Sequence, residues 1–265
     1  MKYYKNQISV HLNRKGILDI DSVKGCTFGT TKYENGCYGV CYANKTAKLY
    51  NYDFTHSVTR NINYKNINQL CLFNDMFFGD NKIINILRQH KLGWFRIGTM
   101  GDPSHDWVAT VNLCLWLHKI RVPVVVTKHW IEIPEYLLTK FKQVGAVINT
   151  SISALDTMRE IKYRLHQFKR IGNFGIKSIL RIVSCEFGKT EIGVNLSKIQ
   201  DELFKYKPII DNPLRISKDD KRVYSGDIVI KLVENINTKS SISIFNKNAY
   251  IGECSACPDQ CGLTL

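Results

Sequence analysis

Six of the nine cysteines in this 265-residue chain fall into two triads. Cys26, Cys37 and Cys41 share one stretch, with ten and then three residues between them, and Cys254, Cys257 and Cys261 share another, with two and then three. Thiolates are the ligands that zinc and iron–sulfur clusters select, and clustered cysteines in a chain without an export signal point to metal or redox chemistry rather than to disulfides. Structural zinc and complete clusters want four protein ligands, so each triad leaves one place open. For the first, His56 and Cys71 are the nearest further donors. For the second, Cys185, an acidic side chain, the nearby C-terminal carboxylate or a substrate can complete the set, and iron–sulfur and zinc both suit its CxxC spacing. Cys114 in VNLCLWLHKI and Cys71 in NQLCLF read as small core residues, and Cys185 after ILRIVS as a core residue or a spare ligand. The histidines of HLNRKG and TKHW, His11 and His129, read as ordinary polar residues.

The elements that must position these residues follow from hydrophobic periodicity. ILDIDSV is a first strand, after which the Gly-rich loop with Cys26, Cys37 and Cys41 runs into a helix-compatible stretch from Tyr42 to Tyr50. GWFRIGTMGD, VPVVVTKHW, AVINTSIS and KSILRIVS read as strands, separated by helical patterns in HDWVATVNLCLWLHKI, IPEYLLTKFKQVG and LDTMREIKYRLHQFKRIG. Pro134 suits a helix start and Gly145 a helix end. Alternation of this kind predicts parallel βα units, whose ligands gather at the carboxyl ends of the strands. Those ends carry Thr99, Met100, Gly101 and Asp102, then Thr127, Lys128 and His129, then Thr150, Ser151 and Ser153, then Arg181 and Ser184. From 187 onward a helix, NLSKIQDELFKY, and strand-like alternation through NPLRISKDDKRVYSGDIVIKLVENI are expected to close the open side of the sheet. The division is a core over 1–186 and a closing segment with the second triad over 187–265.

Composition bounds the function. With 44% hydrophobic and 23% charged residues the chain is an ordinary globular one, neither disordered nor collagen-like. No apolar run approaches the ~18 residues of a membrane span, and MKYYKNQISVHLNRKG lacks the apolar stretch of a signal peptide, so a cytoplasmic protein without a membrane partner is expected. Thirty-seven Lys and Arg against 23 Asp and Glu give a net +14, which favours polyanions such as nucleic acid. Arg215, Lys218, Lys221 and Arg222 crowd one stretch. Binding through them is expected to weaken steeply as salt rises from ~50 to ~200 mM.

The first cysteine loop resembles the cluster loop of the radical S-adenosylmethionine enzymes. GCYGVCYA is similar to the GC-x-x-CYA pattern of a phage and bacterial branch of that superfamily, with one more residue between its cysteines. RIGTMGDPSHDW, VVVTKHW, INTSISALDT and LRIV follow in the order in which that branch places its strands, so the resemblance spans roughly 16–184. It implies a partial (β/α) TIM-type barrel and a [4Fe–4S] cluster on Cys26, Cys37 and Cys41, whose fourth iron takes the amino acid part of S-adenosylmethionine. An electron from a donor such as flavodoxin or ferredoxin then cleaves the sulfonium, and the 5′-deoxyadenosyl radical removes hydrogen from a substrate. Carried over, the cosubstrate site comprises Met100, Gly101, Asp102, Lys128, Ser151, Ser153 and Arg181, with Asp102 facing the amino group, Ser151 and Ser153 the ribose, Arg181 the carboxylate, and Tyr38 or Tyr42 the adenine. The superfamily habit of extra clusters in C-terminal extensions makes Cys254, Cys257 and Cys261 ligands of a second [4Fe–4S] cluster. The substrate, a nucleotide, a nucleic acid, a peptide or a metabolite, and the reaction, by an isomerase, lyase or transferase, stay open. The competing reading is a zinc-stabilised, basic nucleic-acid-binding protein without catalysis.

Overall fold

The computed structural model describes residues 8, 10–12, 16–29, 37, 41–49, 51–60, 92–119, 121–235, 238–246 and 249–265. Cys71, Tyr38 and the side chains of His11 and Tyr42 lie outside what is described. In chain order the strands are β1 (Val10–Leu12), β2 (Leu18–Ile20), β3 (Val23–Lys24), β4 (Val58–Thr59), β5 (Trp94–Ile97), β6 (Val122–Thr127), β7 (Val147–Ile152), β8 (Lys177–Ser184), β9 (Glu186–Phe187), β10 (Ile209–Arg215), β11 (Ile228–Val229), β12 (Lys231–Asn235) and β13 (Thr238–Ser243). The helices are α1 (Tyr42–Leu49), α2 (Trp107–Leu117), α3 (Glu135–Gln143), α4 (Met158–Asn173), α5 (Glu191–Leu203) and the one-turn α6 (Lys221–Tyr224).

The main sheet runs β1-β2-β5-β6-β7-β8-β10-β13-β12. Its six central strands, β2 to β10, are parallel, while β1 and the β12–β13 hairpin pair antiparallel at the two ends. The sheet is curled like a half-barrel and flanked by helices. The segment after residue 187 therefore extends the sheet through β10 and the hairpin. KRVY, within the stretch expected to alternate as strand, forms α6 instead, because the Asp220 carboxylate accepts from Arg222 N and caps a turn.

Local chemistry explains the central βα units. Asp106 caps α2 by accepting from Ala109 N at 2.8 Å, and Thr157 and Glu160 form a reciprocal capping box at the start of α4. Pro134 stands immediately before α3, and Gly145, at φ 61°, takes the left-handed turn that ends it. Along each strand, side chains alternate between two cores. Leu18, Ile20, Phe95, Ile97, Val125 and Ile148 pack against α2 and α3 on the convex side. Ile17, Trp94, Val124, Val147, Ile179 and Ile210 line the concave side, where Cys254, Cys261 and Leu263 cover them. Among the described residues no helix is long and apolar enough to cross a membrane.

Candidate metal centre

The first triad follows β2, at the carboxyl end of the parallel strands. Gly25 N donates to Met100 O at 2.9 Å and a single bridge joins Gly25 to Gly101, which ties the cysteine loop to the loop after β5. A Cβ on Gly101 would stand 2.3 Å from Val23 O, so the two loops meet backbone to backbone. Cys26 is buried, its N–H on Phe54 O and its Sγ accepting from Gly29 N at 3.1 Å. Burial pushes its thiol up to about 12, and the Asp102 carboxylate adds to the shift. Cys37 donates to Cys41, which holds Cys37 well above the ordinary thiol value and Cys41 down at about 6; burial opposes the drop in Cys41, and the charge of Lys128 reaches both sulfurs. Cys26 senses Cys41, and Cys37 senses Cys26, so the three sulfurs share one electrostatic site.

Aromatic side chains wall this site. Phe28 stacks on His105 at 4.8 Å and on Trp130 at 5.4 Å, and the Arg164 guanidinium lies 4.9 Å from the centre of the Trp130 ring. His105 Nε2 is 3.9 Å from Cys26 Sγ. Met100 and Tyr52 pack on the same cluster. Below the wall, Asp156 accepts from Lys128 Nζ at 2.9 Å and pairs with Arg164 at 2.8 Å. Burial alone would raise this carboxyl, but the two cations outweigh it and hold it below the usual carboxylate range.

The strand-end residues fare differently. Asp102 accepts from Ser104 N, Thr127 Oγ1 and Lys128 N, so both its oxygens are engaged in joining the β5 and β6 ends. Ser153 Oγ donates to Val183 O inside the protein. Ser151 is part-exposed, and among the described residues its side chain has no hydrogen-bond partner. Arg181 donates to Asn212 Oδ1 at 2.9 Å and to Cys261 Sγ, in the second triad, at 3.8 Å. His129, at φ 50°, is fully buried with Nε2 2.9 Å from Thr150 Oγ1, and burial pulls it down to about 3, so it stays neutral. Sequence reasoning passed over Asp21, whose carboxylate accepts from Gly98 N, Thr99 N and Met100 N and shapes the loop after β5. It lies inside ILDIDSV, and only the division of that segment into β2 and β3 makes it an acid at a strand end.

The second triad sits on the concave side. Asn149 Nδ2 donates to Cys261 O, Lys177 Nζ donates to Leu263 O, and Gly262 presses on Ile179 so closely that a Cβ would fall 2.5 Å from its side chain. Cys185 and Cys114 are buried elsewhere; the Cys185 backbone is paired with Gln200, among Val183, Leu214 and Ile228, so it is a core residue.

Among the described residues no three His, Cys, Asp or Glu side chains lie within reach of one metal ion. A multi-iron cluster takes its thiolates on different iron atoms. The donor chemistry, three thiols on one loop beside the Phe28–Trp130 stack, fits such a group. No protein family model, curated protein or solved structure matches this chain.

Proposed function

We propose that this chain is a radical S-adenosylmethionine enzyme of the open TIM-type (β/α) barrel class. The observation that carries the reading is that Cys26 and Cys41 pack in one cluster, with the Cys37 thiol bonded to Cys41, on a loop at the carboxyl end of the parallel strands that is tied to residues 98–102. Held by Cys26, Cys37 and Cys41, a [4Fe–4S] cluster would supply the electron for reductive cleavage of S-adenosylmethionine, the source of the hydrogen-abstracting chemistry. The chain's own part is holding and shielding. The three thiols are the ligands, Phe28, His105 and Trp130 exclude water, and the loop shaped by Asp21 and Asp102 presents Thr99, Met100 and Gly101 beside them. Lys128 and Arg181 are already engaged, by Asp156 and by Asn212 and Cys261, so among the described polar side chains expected at the cosubstrate Ser151 is the one left to meet it. Cys254, Cys257 and Cys261 hold a second cluster, with Arg181 as a donor to the Cys261 sulfur. A reductant such as ferredoxin or flavodoxin is the electron partner, and a nucleotide or nucleic acid is the substrate class that the +14 charge favours.

Anaerobic reconstitution followed by iron, sulfide and zinc analysis tests this. A brown protein that forms 5′-deoxyadenosine is expected, with formation abolished by Ala at Cys26, Cys37 or Cys41. Ala at Cys254, Cys257 or Cys261 removes about one cluster's worth of iron and leaves cosubstrate binding intact. Retained 5′-deoxyadenosine in the first three variants would overturn the assignment of the loop.

One contact favours a second reading. His105 Nε2 at 3.9 Å from Cys26 Sγ offers a fourth ligand, and if Cys37 and Cys41 draw in, a closed Cys3His site holds zinc without catalysis. A colourless protein with zinc and no iron after the same treatment would establish it.

A further inference from the structure

Lys128, Asp156 and Arg164 form a nearly dry ion cluster, with side chains 8%, 2% and 1% exposed. Loss of contact with water makes each of these charges expensive unless it is answered nearby. Asp156 answers both cations at once, with 2.9 Å to Lys128 and 2.8 Å to Arg164, and also accepts from Ser153 N at 2.8 Å. Arg164 is locked further by Lys128 O at 2.9 Å and by the face of Trp130. Glu160, its remaining carboxylate neighbour, stands 3.4 Å away and is 29% exposed, where water screens it. Trp130 joins the ion cluster to the cysteine site: it carries Arg164 on its face at 4.9 Å, stacks on Phe28 at 5.4 Å and packs in the same apolar cluster as Cys26 and Cys41. Asp102 is the acid on that side; it sits toward Cys26 and is saturated by Ser104, Thr127 and the Lys128 amide.

We infer that Lys128, held rigid by Asp156 and Arg164, is the built-in counter-charge for the anionic metal–thiolate centre at Cys37 and Cys41. It acts as a positioning residue that strengthens binding of that centre and eases its reduction. The inference rests on the metal reading proposed above. Three thiolates leave a cluster or a zinc ion net negative, and each added electron makes it more so. A fixed cation beside a low-dielectric site favours the more negative state of the centre within it. The field of Lys128 at both sulfurs, and of Arg164 at Cys37, agrees with this geometry.

The test compares wild type, Lys128→Met and Lys128→Arg. Lys128→Met leaves Asp156 paired one to one with Arg164, so the carboxylate keeps its partner. After anaerobic reconstitution with ferrous iron and sulfide, a dithionite titration followed by electron paramagnetic resonance gives the midpoint of the one-electron couple, in which dithionite is oxidised and the iron centre takes up the electron. Lys128→Met is expected to shift the reduction equilibrium about tenfold against the reduced form, about 59 mV lower for one electron, while Lys128→Arg stays near wild type. Equal midpoints in all three proteins overturn the inference and leave the functional reading standing. Wild-type protein that takes up zinc and no iron fails that reading instead, and cobalt(II) titration of the metal-free proteins then decides. Binding about tenfold weaker in Lys128→Met alone supports the counter-charge, and equal affinities overturn it.

Discussion

Asp21 closes its carboxylate over three successive amides, and although the residue is partly exposed the carboxyl itself is shut in, so burial raises it to about 6, with Asp19 nearby adding to the effect. The unfolded chain titrates this group near the ordinary 3.8. The folded protein thus keeps a proton that the unfolded chain has already lost, and the resulting stabilisation is full below the lower value and disappears as pH climbs through the upper one. Asp21→Asn cannot titrate. The stability of wild type relative to this variant is therefore expected to fall between about pH 4 and 6 and to level off above about 7, read by urea denaturation at a series of pH values; a flat difference would mean that the carboxyl is solvated. At this scale the cysteine triads and the polar strand ends were legible, because thiols at short spacing and hydroxyls or acids after β-branched runs declare their chemistry by type. Lys128–Asp156–Arg164 was not, since its members are 28 and 8 residues apart and meet only because β6, β7 and α4 are packed together. The tie between Arg181 and Cys261 joins residues 80 apart in sequence, and nothing local to either position announces it.

Regular periodicity decided which elements could be read. β5 to β8 and α2 to α4 agree with the expected segments, helped by caps such as Asp106 and Thr157 whose side chains sit one residue before a helical run. Two- and three-residue strands such as β1, β3 and β4 carry too few side chains for an alternation to register, and ILDIDSV, expected as one strand, divides into β2 and β3. That division creates the junction on which the cysteine loop depends. β3 runs to the Gly25 bridge, and Gly101 meets Val23 O across it. Gly101→Ala must push the two loops apart, at about 2 kcal/mol of overpacking strain, and is expected to lower iron uptake several-fold. Gly93→Ala, in open space, serves as the control and is expected to load normally. Equal iron contents in both variants would show that the junction does not shape the site.

Over the whole molecule, the excess of parallel strands was foreseen and the antiparallel ends were not, because a hairpin added at an edge looks in sequence like any other pair of short alternating runs. The concave face was also hidden from sequence, since its apolar layer is completed by residues that follow the last strand. Removing 254–265 is expected to lower the unfolding free energy by about 3 kcal/mol, as two or three side chains at roughly 1.5 kcal/mol each return to water, and to raise binding of an apolar dye. Unchanged melting on truncation would mean that the tail is a passive appendage. Exposed Arg215, Lys218 and Lys221 leave the expected salt-sensitive binding of nucleic acid open to the same proteins, although Arg222 is already paired with Asp220 at 2.9 Å. The tail bears on biosynthesis as well. Residues that seat against Ile179 and Asn149 leave the ribosome after every strand of the sheet, so the nascent barrel passes through a stage at which its floor is still missing and its hollow is open from below. On the reading proposed above, a factor that delivers iron and sulfide to Cys254, Cys257 and Cys261 would have that interval in which to reach them, before the tail seats against Ile179 and Asn149.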